Sequence, residues 1–185
     1  MDYDEYLEQG ETLASEGLIE EALARFEQAL DAAPENPEVI EAVGRALLNL
    51  GRFEEAEASF LDALELDPEW VAPRMGLAMV ALARDEPFKI VHHLERAIEA
   101  DPGYPDAYVE LGRYYGFMGE PALAKATFER WTARLPEDAD MLINAGLTLF
   151  DAADYAEAYA FFGRAIEAAS DEDRRAARAL FWPTP

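Results

Sequence analysis

The sequence predicts an all-α fold, a stack of antiparallel helical hairpins. Three observations predict it. A small residue recurs every 34 positions, as Gly10, Gly44, Ala78, Gly112 and Gly146. Prolines recur at the same interval, as Pro34, Pro68, Pro102 and Pro136, with Ser170 in the fifth place. Between these marks the apolar residues follow the helical period: Tyr108, Leu111 and Tyr115 share one face, and Ala124, Phe128 and Trp131 share another. A single hairpin of this kind cannot bury its apolar face alone, so its neighbours must stack on it.

The elements follow in order. A first helix is expected over Tyr3–Ser15, broken at Gly17, with a partner over Ile19–Ala32 closed by Ala33-Pro34. Asn36 and Pro37 suit an N-cap and first turn. The second hairpin then reads Ile40, Val43, Gly44 and Leu47, followed by Gly51, Ala56 and Phe60. The third departs most. Arg74 replaces the first aromatic, Ala78 the glycine, Ile90 the alanine and Leu94 the phenylalanine, while Asp85-Glu86-Pro87 replaces the glycine turn. The larger Ile90 is expected to alter packing there. The fourth hairpin, from Pro105 to Pro136, carries the pattern most fully. The fifth runs through Leu142, Ala145, Gly146 and Leu149 to Ala158, Phe162 and Ala165. Ser170 with Asp173 then suits the start of a capping helix over residues 171–181, ended by Pro183.

The spacing aromatic-x2-Leu-Gly-x2-Tyr, then Ala-x3-Phe, then Pro resembles the tetratricopeptide repeat (TPR) family. The resemblance covers five tandem units, residues 3–36, 37–70, 71–104, 105–138 and 139–170, and so nearly the whole of a single solenoid domain over residues 1–185. It implies a right-handed superhelical solenoid and a non-enzymatic role as a scaffold or adaptor, with the first helix of each unit lining a concave groove. The alternative is a self-assembling structural protein that homo-oligomerises through its groove or its C-terminal tail.

Composition narrows the partners. The chain has 39 acidic and 15 basic residues, a formal net charge of −24. That argues against nucleic acid, which requires a basic footprint, and against anionic membranes. The longest apolar run, Met75 to Ala83, is far short of the ~20 residues of a membrane span. The N-terminus shows neither a basic nor an apolar signal region, and the cytoplasm is the expected location. With no cysteine there is neither a disulfide nor a thiolate metal site.

No catalytic constellation emerges, and no cofactor or metal is expected. His92 and His93 are adjacent, so on a helix they diverge by about 100° and cannot chelate together. They are expected at the surface of an outer helix. Ser15, Ser59 and Ser170 lack a nucleophile-elbow setting, and there is no glycine-rich phosphate loop.

The groove implied by the resemblance is named by register. It comprises Glu8 and Glu11; Glu41, Arg45, Leu48 and Asn49; Met75, Met79 and Leu82; Val109, Glu110, Arg113 and Phe117; and Ile143, Asn144 and Phe150. Its N-terminal end is acidic and the remainder largely apolar. The expected partner is a protein or peptide with basic residues beside an apolar anchor. Several of these residues equally suit packing on the neighbouring unit, because groove and packing positions lie one residue apart. Carboxylates at Glu11, Glu41, Asp106 and Glu110 disfavour an acidic C-terminal peptide. Leu180, Phe181 and Trp182 are candidates for self-association, and the tail's Arg174, Arg175 and Arg178 would suit a second copy's acidic groove.

Overall fold

The computed structural model describes residues 2–169, and all ten elements among them are α-helices. They are α1 (Tyr3–Ser15), α2 (Ile19–Ala32), α3 (Pro37–Asn49), α4 (Phe53–Leu66), α5 (Val71–Ala83), α6 (Pro87–Ala100), α7 (Pro105–Phe117), α8 (Pro121–Thr132), α9 (Ala139–Asp151) and α10 (Tyr155–Ala168). The expected capping helix over residues 171–181, with Ser170, lies outside the described residues.

Helix starts and stops follow local chemistry. The Asn36 side chain accepts from the Glu38 amide at 3.0 Å, and Pro37 occupies the first turn, where its missing N–H costs nothing. Asp138 accepts from the Met141 amide at 3.0 Å. Between the two helices of every hairpin one residue takes the left-handed conformation. These are Gly17, Gly51, Asp85, Gly119 and Ala153, with φ of 81°, 72°, 54°, 73° and 62°. They are spaced at the repeat interval, so the turn is kept even where glycine is not.

The helices form two compact units, Met1–Tyr104 and Pro105–Pro185. In the first, α1 pairs with α2, α3 with α4 and α5 with α6, and the odd-numbered helices α1, α3 and α5 also touch in sequence. In the second, α7 pairs with α8 and α9 with α10, and α7 touches α9.

The core of each hairpin is the small–large pair. Ala22, Ala56, Ala124 and Ala158 are fully buried, as are Phe26, Phe60 and Phe128. A Cβ added to Gly112 would come within 2.4 Å of the Phe128 ring, so only glycine allows that approach. Phe60 does double duty. Its ring lies against Gly44 in its own hairpin and Gly76 in the next. In the fifth hairpin Phe162 lies over Gly146 but is only half-buried, and the buried ring is the adjacent Phe161.

The third hairpin keeps this plan with altered residues. Ala78, Ile90 and Leu94 are all buried, so the added volume at Ile90 offsets the smaller Leu94. Arg74, in the aromatic position, turns its guanidinium back to donate to the Pro68 carbonyl.

Candidate interaction surfaces on the first helices of the hairpins

Same-register positions in successive hairpins become neighbours in space. Glu11 of α1 and Arg45 of α3 are 34 residues apart and form a two-point ion pair, with N–O distances of 2.5 and 3.3 Å. Arg45 also approaches Glu41 at 3.6 Å. Burial raises the Glu41 pKa, Glu11 and Glu38 add to the rise, and Arg45 opposes it. Burial pulls the Arg45 pKa down, yet its bonds to Glu11 and Glu41 outweigh that and hold it above the ordinary value. One guanidinium thus answers two carboxylates, with Glu8 exposed nearby on α1.

Beside this acidic ledge lies α5. Met79 is 42% exposed and Leu82 45%, while Met75 is half-buried. Met79 stands in the register of Glu11 and Arg45, so the face changes from charged to apolar along one line of equivalent positions. Leu48 packs against the core of the first unit and Asn49 is exposed.

The second unit presents a different face. On α7, Phe117 is 84% exposed, Val109 is half-buried, and Arg113 lies 3.9 Å from Glu110. Arg113, Gly116 and Phe117 line a cleft of about 310 Å³ with Thr148 and Asp151. On α9, Ile143 is 42% exposed and Phe150 44%, while the Asn144 amide donates to the Asp140 carbonyl of its own helix at 3.0 Å. The sequence-derived residues thus fall into two sets, one on each unit. Leu180, Phe181 and Trp182 lie outside the described residues.

Several features escaped the sequence reading. Arg84 reaches Glu57 at 2.6 Å, and Lys89 reaches Glu57 and Glu86 at 3.4 and 2.9 Å. This network ties α4 to the α5–α6 turn. Glu57 lies 27 and 32 residues from Arg84 and Lys89, and only the repeat register could have suggested that pairing. His93 corrects the expectation of two surface histidines. His92 is exposed but His93 is half-buried, and burial, aided by His92 and Lys89, lowers its pKa to about 4. It is therefore neutral at physiological pH. Tyr155, Tyr159 and Ile166 on α10 are all more than half exposed, and their helical spacing is the one signal in the sequence that could have found them.

Among the described residues no group of three or more His, Cys, Asp or Glu side chains could hold a metal ion, and no helix is long and apolar enough to cross a membrane.

Comparison with known proteins agrees with this architecture. Tetratricopeptide repeat models match residues 13–78, 93–126 and 139–172. Protein O-mannosyl-transferase TMTC3 of Mus musculus is 29% identical over 157 residues, which is 77% of this chain and 17% of that protein. The protein CTR9 homolog of Arabidopsis thaliana is 30% identical over 104 residues, 56% of this chain and 10% of that protein. The chain thus spans less than a fifth of the length of the curated relatives it matches. Among solved structures, MamA superposes with a TM-score of 0.68 at 23% identity, covering 99% of this chain and 96% of MamA. A thermophilic TPR protein from Thermus thermophilus gives 0.70 at 23% identity, covering 96% and 97%. YrrB, described as a TPR protein with an unusual peptide-binding site, gives 0.59 at 24%, covering 90% and 86%. At such identities the likeness is one of fold. With the repeat register and ten paired helices, the matches along the sequence establish that the chain belongs to the tetratricopeptide repeat family.

Proposed function

We propose that this chain is a non-catalytic protein-interaction module, whose odd-numbered helices bind a peptide or helix carrying basic residues beside an apolar anchor. One observation carries the proposal. In the first unit, Met79 and Leu82 stay 42% and 45% exposed on α5, next to a ledge where Arg45 answers both Glu11 and Glu41. Methionine is unbranched and polarizable, and it adapts to varied apolar partners. One guanidinium shared by two carboxylates leaves the ledge net negative, which favours lysine or arginine. The exposed Phe117 offers the second unit its own apolar contact. The net charge of −24 disfavours nucleic acid and anionic membranes as partners, and a cytoplasmic setting goes with this reading.

The test uses an array of peptides with Lys or Arg at varied spacing from Leu or Phe, and acidic counterparts as controls. The basic, apolar peptides should bind the full chain and weaken as salt rises, because exposed charge pairs are screened. Met79→Glu should abolish binding to the first unit, and Phe117→Glu binding to the second. Binding that ignores both salt and these substitutions would remove the proposal.

A further inference from the structure

We infer that the cleft at the C-terminal ends of α7 and α9 receives an arginine side chain of the partner, its guanidinium held between the Phe117 ring and the Asp151 carboxylate. The inference rests on the interaction reading above and names what one part of that surface recognises. Arg113, Gly116, Phe117, Thr148 and Asp151 line about 310 Å³, room for one long side chain.

Phe117 and Asp151 are one repeat apart, so they hold the same position in successive hairpins, and together they flank the cleft. That position is Ser15, Asn49 and Ala83 in the first three hairpins, so a ring and a carboxylate come together only here. Phe117 is 84% exposed and, among the described residues, makes no ring contact. Asp151 is exposed and, among the described residues, has neither a hydrogen bond nor an ion pair. Gly116 keeps the space between them open. Its counterparts Leu82 and Phe150 carry large side chains, whereas a Cβ at Gly116 would already come within 2.6 Å of Thr148.

Three features select a cation. Asp151 supplies a full negative charge without a partner of its own. α7 ends at Phe117 and α9 at Asp151, so both helices present the negative ends of their dipoles to the cleft. The face of an aromatic ring attracts a cation, more often a guanidinium than an ammonium. Arg113 also lines the cleft, but its ion pair is with Glu110 of its own helix, at 3.9 Å, and not with Asp151. Arginine fits better than lysine. Its planar guanidinium can stack on the ring while its edge donates two hydrogen bonds to one carboxylate.

The probe is Nα-acetyl-arginine N-methylamide, titrated into the full chain and followed by amide NMR shifts. The signals of Gly116, Phe117, Thr148 and Asp151 should move. The citrulline analogue, similar in shape but uncharged, should leave them still, and the lysine analogue should bind more weakly. Asp151→Asn should weaken binding of the arginine probe about tenfold, because a charged hydrogen-bond partner is lost. Phe117→Leu, which stays apolar, should weaken it about threefold, and Phe117→Trp should preserve it. Both positions are exposed, so thermal melting should show each variant folded. Cleft shifts with citrulline, lysine binding as tightly as arginine, or indifference to Asp151→Asn or Phe117→Leu would each overturn the inference. So would binding of the glutamate analogue, which would assign the cleft to Arg113 and an anion. If the arginine probe leaves the cleft unmoved while basic, apolar peptides still bind the full chain, the inference falls and the interaction module stands. If those peptides fail as well, the module falls with it.

Discussion

Glu57 of α4 meets Lys89 of α6 at 3.4 Å in the first unit, and Lys125 of α8 meets Glu157 of α10 at 2.8 Å in the second. Both members of the second pair lie two repeats beyond those of the first, with the charges exchanged. The backbone therefore presents the same two positions to each other, and the surface requires only that the charges be opposite. Around this shared contact the units diverge. The first surrounds it with Arg84, Glu54 and Glu86, and adds the Glu11–Arg45 pair between α1 and α3. The second relies more on rings. Tyr108 meets Trp131 edge-on at 5.3 Å, and the Trp131 indole donates to Asp138 at 2.8 Å. Packing of glycine on phenylalanine sets the register in both units, and the outer contacts vary upon it.

The largest effect should come from the shared core. Phe60→Ala and Phe128→Ala should each cost about 3–5 kcal/mol through cavity formation, read by chemical denaturation. They should differ in reach. Phe60 touches Gly76 as well as Gly44, so hydrogen exchange should rise in α5 as well as in α3 and α4. If Phe60→Ala loosens only its own hairpin, the ring does not join two hairpins as described.

A smaller effect should separate the turns. Ala153 holds a φ of 62° where Gly119 holds 73°. A left-handed L-residue costs about 1–2 kcal/mol, partly offset by the unfolded-state entropy of glycine. Ala153→Gly should therefore raise the melting temperature, and Gly119→Ala should lower it. Shifts of the same sign would disprove the equivalence of the two turns.

The smallest effect should fall on the exchanged ion pair. Lys125→Glu places two carboxylates together and should lower the melting temperature less than either core change does. Adding Glu157→Lys should restore it, because exposed pairs are weak and depend on sign alone. A double variant no more stable than the single one would show that the position requires a particular residue.

Much of the fold was legible because local rules and the repeat agree. Pro37 and Pro105 open helices where the sequence places them, Pro87, expected in the inter-helix link, instead opens α6, and Gly112 with Phe128 marks the closest approach in its hairpin. The turn at Ala153 was not legible, since alanine carries no signal for a left-handed conformation and only its distance from Gly119 betrays it. The half-burial of His93 depends on neighbours from other helices. The interaction surface was half legible. The register named its residues, but residues equivalent by register met different fates. Leu48 packs on the core, while Leu82, one repeat later, is 45% exposed.

The sequence by itself determined the family, the helix boundaries and the small–large pairs, because each rests on interactions within a hairpin that recur every 34 residues. The tertiary structure decided which apolar positions stay open, where Arg45 and Arg84 find their carboxylates, and that α9 and α10 end in an exposed aromatic stripe. Those outcomes depend on what lies against each hairpin, and a side chain's own position in the repeat does not specify its neighbour.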